Sequence, residues 1–249
     1  MYTCLFADFN EPEQNIPNCS PDGSEMQSSV DIDTNETMLD PNMTMKFINF
    51  NGTFKGMLEN NGRSINFDLT NFNENMMPRL RTDSGNFILH SFTLHMDDSL
   101  HQIDGENFGV EIHLINYNEN FQSMKNAMEK NAQDSLAVVS FLFRNLDGSQ
   151  LVNHANNKIL NLPVNTKSKP FDNPTFPKTS SLQFLSFTVP FQVNFDEMLP
   201  LSIESQKFFR YYGSLTEKQT CVEMVEWTLF EMPLDVLMKM LLKIKFLKF

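Results

Sequence analysis

Residues 87–118 read FILHSFTLHMDDSLHQIDGENFGVEIHLINYN. Two runs rich in β-branched and aromatic residues, FILHSFTLHM and FGVEIHLINYN, flank a polar middle that contains Asp104-Gly105. This is the pattern of two strands joined through a turn. Successive side chains on a strand point to opposite faces. Phe87, Leu89, Ser91, Thr93 and His95 are therefore expected on one face of the first run, with His90 turned away. On the second run His113 shares a face with Glu111 and Ile115. A histidine on each of two neighbouring strands could converge on a metal ion; the competing reading is that both are structural hydrogen-bonding groups. Two protein ligands are also one short of the three typical of catalytic zinc.

Working outward, short β-type runs recur on both sides. VDID, KFINFNGTF and SINFDLT precede the stretch, and LAVVSFLFRN, LQFLSFTVPFQVNF and VEWTLFEM follow it. Turn dipeptides Asn61-Gly62 and Asp147-Gly148 punctuate them. Residues 119–133 (ENFQSMKNAMEKNAQ) hold few β-branched residues and predict a short surface helix. Residues 145–180 are rich in Asn, Lys and Pro with weak periodicity, which predicts long surface connections with a helical turn around Leu151–Leu160. The first thirty or so residues are polar and turn-rich. The resulting expectation is an irregular N-terminal arm over 1–18 and one domain over 19–249, mostly β with peripheral helices (α+β).

Composition narrows the function classes. The chain has 249 residues, 41% hydrophobic and 20% charged, so it can bury a substantial core. Its net charge of -12 argues against a nucleic-acid binder, which needs a basic face, and against a constitutive partner of anionic membranes. No apolar run is long enough to span a bilayer; lysines interrupt the nearest approach, VLMKMLLKIKFLKF. The opening MYTCLFADFNEPEQ lacks a basic region followed by an apolar one, so it does not read as a signal peptide. Cys4, Cys19 and Cys221 are too few for a disulfide scaffold and form no Cys-x-x-Cys pair. Asn18, Asn35, Asn42 and Asn51 each head an N-x-[ST] sequon, which leans toward secretion, although an Asn-rich chain produces sequons by chance.

Five blocks occur in a telling order. They are MQSSVDIDT (26–34), LENNGRSINFDL (58–69), the 87–118 stretch, DSLAVVSFLF (134–143) and YYGSLTEKQTCVEMVEWTLFEMPLDV (211–236). Together they resemble the α-class carbonic anhydrases over roughly residues 10–249. The resemblance implies a single large twisted, mainly antiparallel sheet with peripheral helices, and a cleft whose floor carries zinc on three histidines. Two of those form a His-x-His on one strand and the third comes from the next. Carried over by position, the His-x-His becomes Thr93-Leu94-His95 and the third ligand His113. One ligand is lost, and a threonine hydroxyl is a poor substitute for imidazole.

The resemblance implies further roles and losses. Glu111 matches the carboxylate that orients the third histidine, while Ser91 stands where a glutamine orients the first. The family's Ser-Glu-His reads Ser99-Leu100-His101, so the gatekeeper glutamate is Leu100; its threonine partner is kept as Thr216. Arg63 replaces the proton-shuttle histidine. Ile115, Val138, Leu215, Val225 and Trp227 match the apolar substrate wall, though core positions would stay apolar in any case. Cys19 and Cys221 match the disulfide of extracellular members, which would stabilise by about 2–4 kcal/mol; Cys4 is left over. Relative to the family the chain is C-terminally shortened, as a diverged paralogue or a truncated gene model would be.

The expectation is thus an extracellular, carbonic-anhydrase-related glycoprotein, catalytically inactive or very weak, acting through its surface or cleft on an unidentified protein or small ligand. No cofactor is expected, zinc at low affinity being the exception. The alternative is residual zinc-dependent carbon dioxide hydration with His95, His113 and a recruited third ligand, for which His90 is badly placed. A storage or reproductive secretory protein is a third reading.

Overall fold

The computed structural model describes residues 2–4, 28–60, 64–70, 76–96, 99–130, 132–144, 187–195, 206–216 and 222–232. The strands, in chain order, are β1 (Tyr2–Cys4), β2 (Asp31–Ile32), β3 (Thr37–Leu39), β4 (Met45–Ile48), β5 (Thr53–Asn60), β6 (Ser64–Leu69) and β7 (Arg79–Thr82). They continue as β8 (Asn86–Met96), β9 (Gln102–Ile103), β10 (Val110–Asn118), β11 (Leu136–Phe143), β12 (Phe187–Asn194), β13 (Phe208–Gly213) and β14 (Val225–Phe230). Twelve of them form one sheet in the order β12-β5-β6-β8-β10-β11-β14-β13-β1-β3, with β7 pairing both β8 and β4. Its pairs are antiparallel except β11 with β14 and β1 with β13. β2 and β9 form a separate parallel pair.

The expected mainly antiparallel sheet is present, and so is the helical break in it. A 3-10 turn at Glu119–Phe121 starts where the Asn118 side chain accepts from the Asn120 N–H, and ends at Gln122 with φ 63°. The helix α1 (Met124–Lys130) follows, with the Ser123 hydroxyl accepting from the Asn126 N–H as an N-cap. It buries Ala127 and leaves the Lys125–Glu129 pair exposed. Within the stretch expected as an irregular arm, Tyr2–Cys4 instead adds a strand beside β13. The expected connections over 145–180 lie outside the described residues.

The sheet is apolar on both faces. β11 shows this most plainly, since all eight of its residues are buried. Ala137, Val139, Phe141 and Phe143 enter a Phe-rich cluster with Phe67, Phe92 and Phe230. Leu136, Val138 and Leu142 enter a second cluster with Ile115, Val225 and Trp227. A strand covered on both sides reads as the unbroken run LAVVSFLF rather than as an alternation. In the first cluster Phe67 stacks on Phe92 and Phe141 on Phe230, each with ring centroids 5.0 Å apart. Each such buried side chain contributes roughly 1.5–3 kcal/mol.

One face assignment is corrected. Between β8 and β10 the register runs Ser91 with Ile115, then Leu89 with Asn116. His90 is thus an extra residue, a β-bulge, and a bulge reverses the facing of everything beyond it. Phe87 and Leu89 consequently join Phe92 and Leu94 in the Phe-rich cluster, on the opposite face from Ser91, Thr93 and His95.

Candidate metal centre

The bulge leaves the His95 end of β8 aligned with β10 and β11. Thr93 lies opposite His113, and His113 lies opposite Ser140, so these three make a row across the strands. Next to it His95 lies opposite Glu111. The His95 and His113 rings are 4.7 Å apart. Trp227 of β14 closes the site from the side, its ring 4.9 Å from both His113 and His101. The indole is fixed by its N–H, which donates to the Ser214 carbonyl at 3.0 Å.

Glu111 is the centre of the arrangement. It is fully buried, and five donors converge on it. Oε2 accepts from the backbone N–H groups of Leu100 at 2.6 Å and His101 at 2.9 Å. Oε1 accepts from His101 Nδ1 at 2.5 Å, His113 Nε2 at 2.7 Å and the Ser140 hydroxyl at 2.5 Å. Burial by itself would raise the carboxyl pKa. The charges and hydrogen bonds of His101 and His113 overcome it and hold Glu111 well below the usual carboxylate range. An ionised carboxylate only accepts, so both imidazoles donate to it. That leaves Nδ1 of His113 as the nitrogen not facing Glu111.

The network continues away from the strands. His101 Nε2 lies 2.6 Å from the Tyr211 hydroxyl, which donates to Ser28 Oγ at 3.1 Å. Gly213 makes this approach feasible, because a Cβ there would lie 2.1 Å from Ser28 Oγ and 2.8 Å from the Tyr211 ring.

His95 is the group without support. Its Nε2 is buried and has no hydrogen-bond partner. Burial, the neighbouring His113 and His101 push its pKa down to about 3 against the pull of Glu111, so at neutral pH it is an uncharged imidazole. An orphaned ring nitrogen beside a second, oriented imidazole is what half of a zinc site looks like. Among the described residues the donor set nevertheless stops at two. Thr93, 3% exposed, occupies the third position of the row. The acid and histidine side chains with ligand atoms within 4.8 Å of one another are His101, Glu111 and His113, a buried group that does not include His95. His90 is exposed, its ring against Tyr117 at 6.4 Å. The described residues do not fit a three-histidine zinc ion.

The other expected positions divide into three sets. Ser91 is buried one step along β8 from the row, opposite Ile115. Leu100 is half-buried and reaches Glu111 only through its backbone. Thr216 is half-buried beyond β13. Ile115, Val138, Leu215, Val225 and Trp227 do come together, in one cluster with none more than 5% exposed. Asn35, Asn42 and Asn51 are exposed. Arg63, Cys19, Cys221 and Asn18 lie outside the described residues, as does the side chain of Cys4. Residue-by-residue reading missed Ser140, Tyr211 and Ser28, and gave His101 no role. The one signal for Ser140 was a polar residue inside an otherwise apolar run.

Comparison with known proteins identifies the family. The family model described as eukaryotic-type carbonic anhydrase matches residues 10–249. The chain is 28% identical over 231 residues to carbonic anhydrase 4 of Rattus norvegicus, covering 90% of this chain and 66% of that protein. It is 26% identical over 223 residues to carbonic anhydrase 6 of Mus musculus, covering 86% and 61%. It thus spans slightly less than two thirds of the length of these relatives. Among the described residues, no helix is long and apolar enough to cross a membrane. The sheet, the His95–Glu111–His113 constellation and the family match converge on one conclusion: the chain belongs to the eukaryotic-type carbonic anhydrase family.

Proposed function

We propose that this chain is a carbonic-anhydrase-related protein without appreciable carbon dioxide hydration, and that it works outside the cell as a binding or structural scaffold, glycosylated and closed by a Cys19–Cys221 disulfide. The observation that carries the reading is the cross-strand row. Thr93 faces His113 where a third imidazole is needed, so a metal ion would meet two good donors instead of three. The family's chemistry relies on zinc lowering the pKa of its bound water to about 7, which presupposes a firmly held ion. Removing even a supporting partner of a ligand typically costs roughly 10–100-fold in affinity or activity, and here a direct ligand is replaced. Leu100 in place of the gatekeeper carboxylate points the same way. The exposed sequon asparagines and the position of the cysteines in the family pattern support the extracellular part.

A second reading has one observation in its favour. The buried, unpartnered His95 Nε2 is suited to a ligand, so zinc held by His95, His113 and a recruited third group is the alternative. Zinc content measured by mass spectrometry after dialysis against a mild chelator separates the two. The first reading expects substoichiometric zinc and a hydration rate at least about 100-fold below that of active members. Stoichiometric zinc with a rate near theirs would overturn it. Thr93→His is expected to raise zinc occupancy to about one per chain, because Glu111 already holds His113 and the His95 nitrogen is already vacant of partners.

A further inference from the structure

The two ends of the large sheet are finished differently. At one end lies β12, which contains Pro190, an exposed residue without an N–H. Proline on an edge interrupts the row of donors that another strand would need. At the other end lies β3, Thr37-Met38-Leu39, with neither proline nor lysine in the strand. It pairs with β1 on one side, and no described residue pairs with it on the other. Two of its three side chains are also apolar and open to water, Met38 being 52% and Leu39 66% exposed. An unprotected apolar edge is a template for pairing with a second copy.

A sequon stands on each side of this strand. Asn35-Glu36-Thr37 falls in the turn entering β3, and Asn42-Met43-Thr44 in the turn just after it. Both asparagines are exposed. N-linked glycans are bulky, solubilising and confined to the surface. We infer that Asn35 and Asn42 carry N-glycans that cover the β3 edge and keep it from pairing with a second copy of the chain, the role that Pro190 fills at the opposite edge. The inference rests on the extracellular reading above and adds to it which sites are used and what the carbohydrate does.

The test uses the full chain, secreted by a glycosylating eukaryotic host behind a supplied leader. Glycopeptide mass spectrometry reads occupancy at Asn35 and Asn42. The folded protein is then deglycosylated under native conditions, and its assembly is followed by size-exclusion chromatography with light scattering over a range of concentrations. Expected are occupied sites, a monomer before treatment, and a shift to dimer and larger species after it. Met38→Lys, which places a charge on the bare edge, is expected to return the deglycosylated protein to monomer. Unoccupied sequons, assembly unchanged by deglycosylation, or association that Met38→Lys leaves intact would each overturn the inference. Because the leader is supplied, these outcomes do not depend on the chain's own route; fractionation of cells that make the protein naturally tests the extracellular reading separately.

Discussion

Glu111 and Glu226 are buried on opposite faces of the same sheet, 0% and 1% exposed, and their carboxyls are pushed in opposite directions. Glu111 belongs to the face of the histidines and Trp227. Glu226, next to Trp227 in the chain, points the other way, toward Arg210 and the turn between β7 and β8. There the Ser84 hydroxyl donates to Oε2, while Oε1 lies 3.4 Å from Arg210 Nε without forming a hydrogen bond. Arg210 is shared: it also engages Asp83, the Thr228 hydroxyl and the Thr44 carbonyl. Burial raises the Glu226 pKa, and Arg210 and Ser84 do not fully offset it. The charges and hydrogen bonds of His101 and His113 outweigh burial at Glu111, whereas at Glu226 a divided guanidinium and the Ser84 and Thr82 hydroxyls do not outweigh burial and the nearby Asp83. Two imidazoles that combine charge with a direct hydrogen bond thus offset the burial of a carboxylate where a shared guanidinium at 3.4 Å does not.

The largest test of this contrast is a matched pair of substitutions. Glu111→Gln puts an amide NH2 among donors and leaves His101, His113 and Ser140 short of their acceptor. It is expected to cost about 3–5 kcal/mol, the range for breaking a buried charged network. Glu226→Gln leaves Arg210 with Asp83 and keeps an acceptor for Ser84, so it should cost less than Glu111→Gln. Urea denaturation of both variants against the parent decides the matter; equal losses would break the comparison.

The pH dependence of the same variants sharpens it. Glu111 has a folded pKa well below its ordinary 4.5, so its contribution is complete above about pH 4.5 and is lost as the pH falls below that. Glu226 has a folded pKa above 4.5, so its contribution is greatest below pH 4.5 and is lost as the pH rises through the raised value. On acidification from neutrality, the stability gap between parent and Glu111→Gln should narrow, while the parent should gain relative to Glu226→Gln. The slope in each window reaches at most about 1.4 kcal/mol per pH unit. Gaps moving in the same direction would show that the two carboxyls are not held in opposite states.

The histidine face was largely legible in the sequence and the opposite face was not, for a physical reason. Glu111, His113 and Ile115 follow strict alternation on β10, and the ordered sequence blocks carry the family resemblance. Alternation failed at His90, because a bulge inserts a residue without changing composition, and so Phe87 and Leu89 were placed on the wrong face. The Arg210–Glu226 cluster joins residues 16 positions apart on β13 and β14 to a turn some 130 residues earlier. Nothing local in FFRYYG or VEWTLF announces that pairing. Ser140 was visible as an interruption of LAVVSFLF, but its target was not, since only the β10–β11 register places it next to Glu111.

The two hydroxyls at the two carboxylates provide the finest discrimination. Ser140, itself fully buried, donates to a carboxylate held ionised. Ser84 is half-buried, shares its hydroxyl with Thr82, and donates to a carboxyl biased toward protonation. Hydrogen bonds to charged groups contribute about 1.5–3 kcal/mol when buried, and the half-buried, shared Ser84 hydroxyl gains less. Ser140→Ala is therefore expected to destabilise by about 1.5–3 kcal/mol and Ser84→Ala by about 1 or less at neutral pH, read by urea denaturation. The Ser140→Ala loss should hold through pH 4.5 and shrink only well below it, where Glu111 is protonated in the folded state and the charge that strengthens the bond is lost. If the two alanine variants lose the same amount, the hydroxyl at Glu111 is not responding to an ionised acceptor. The converging donors would then serve to position His113 rather than to hold charge.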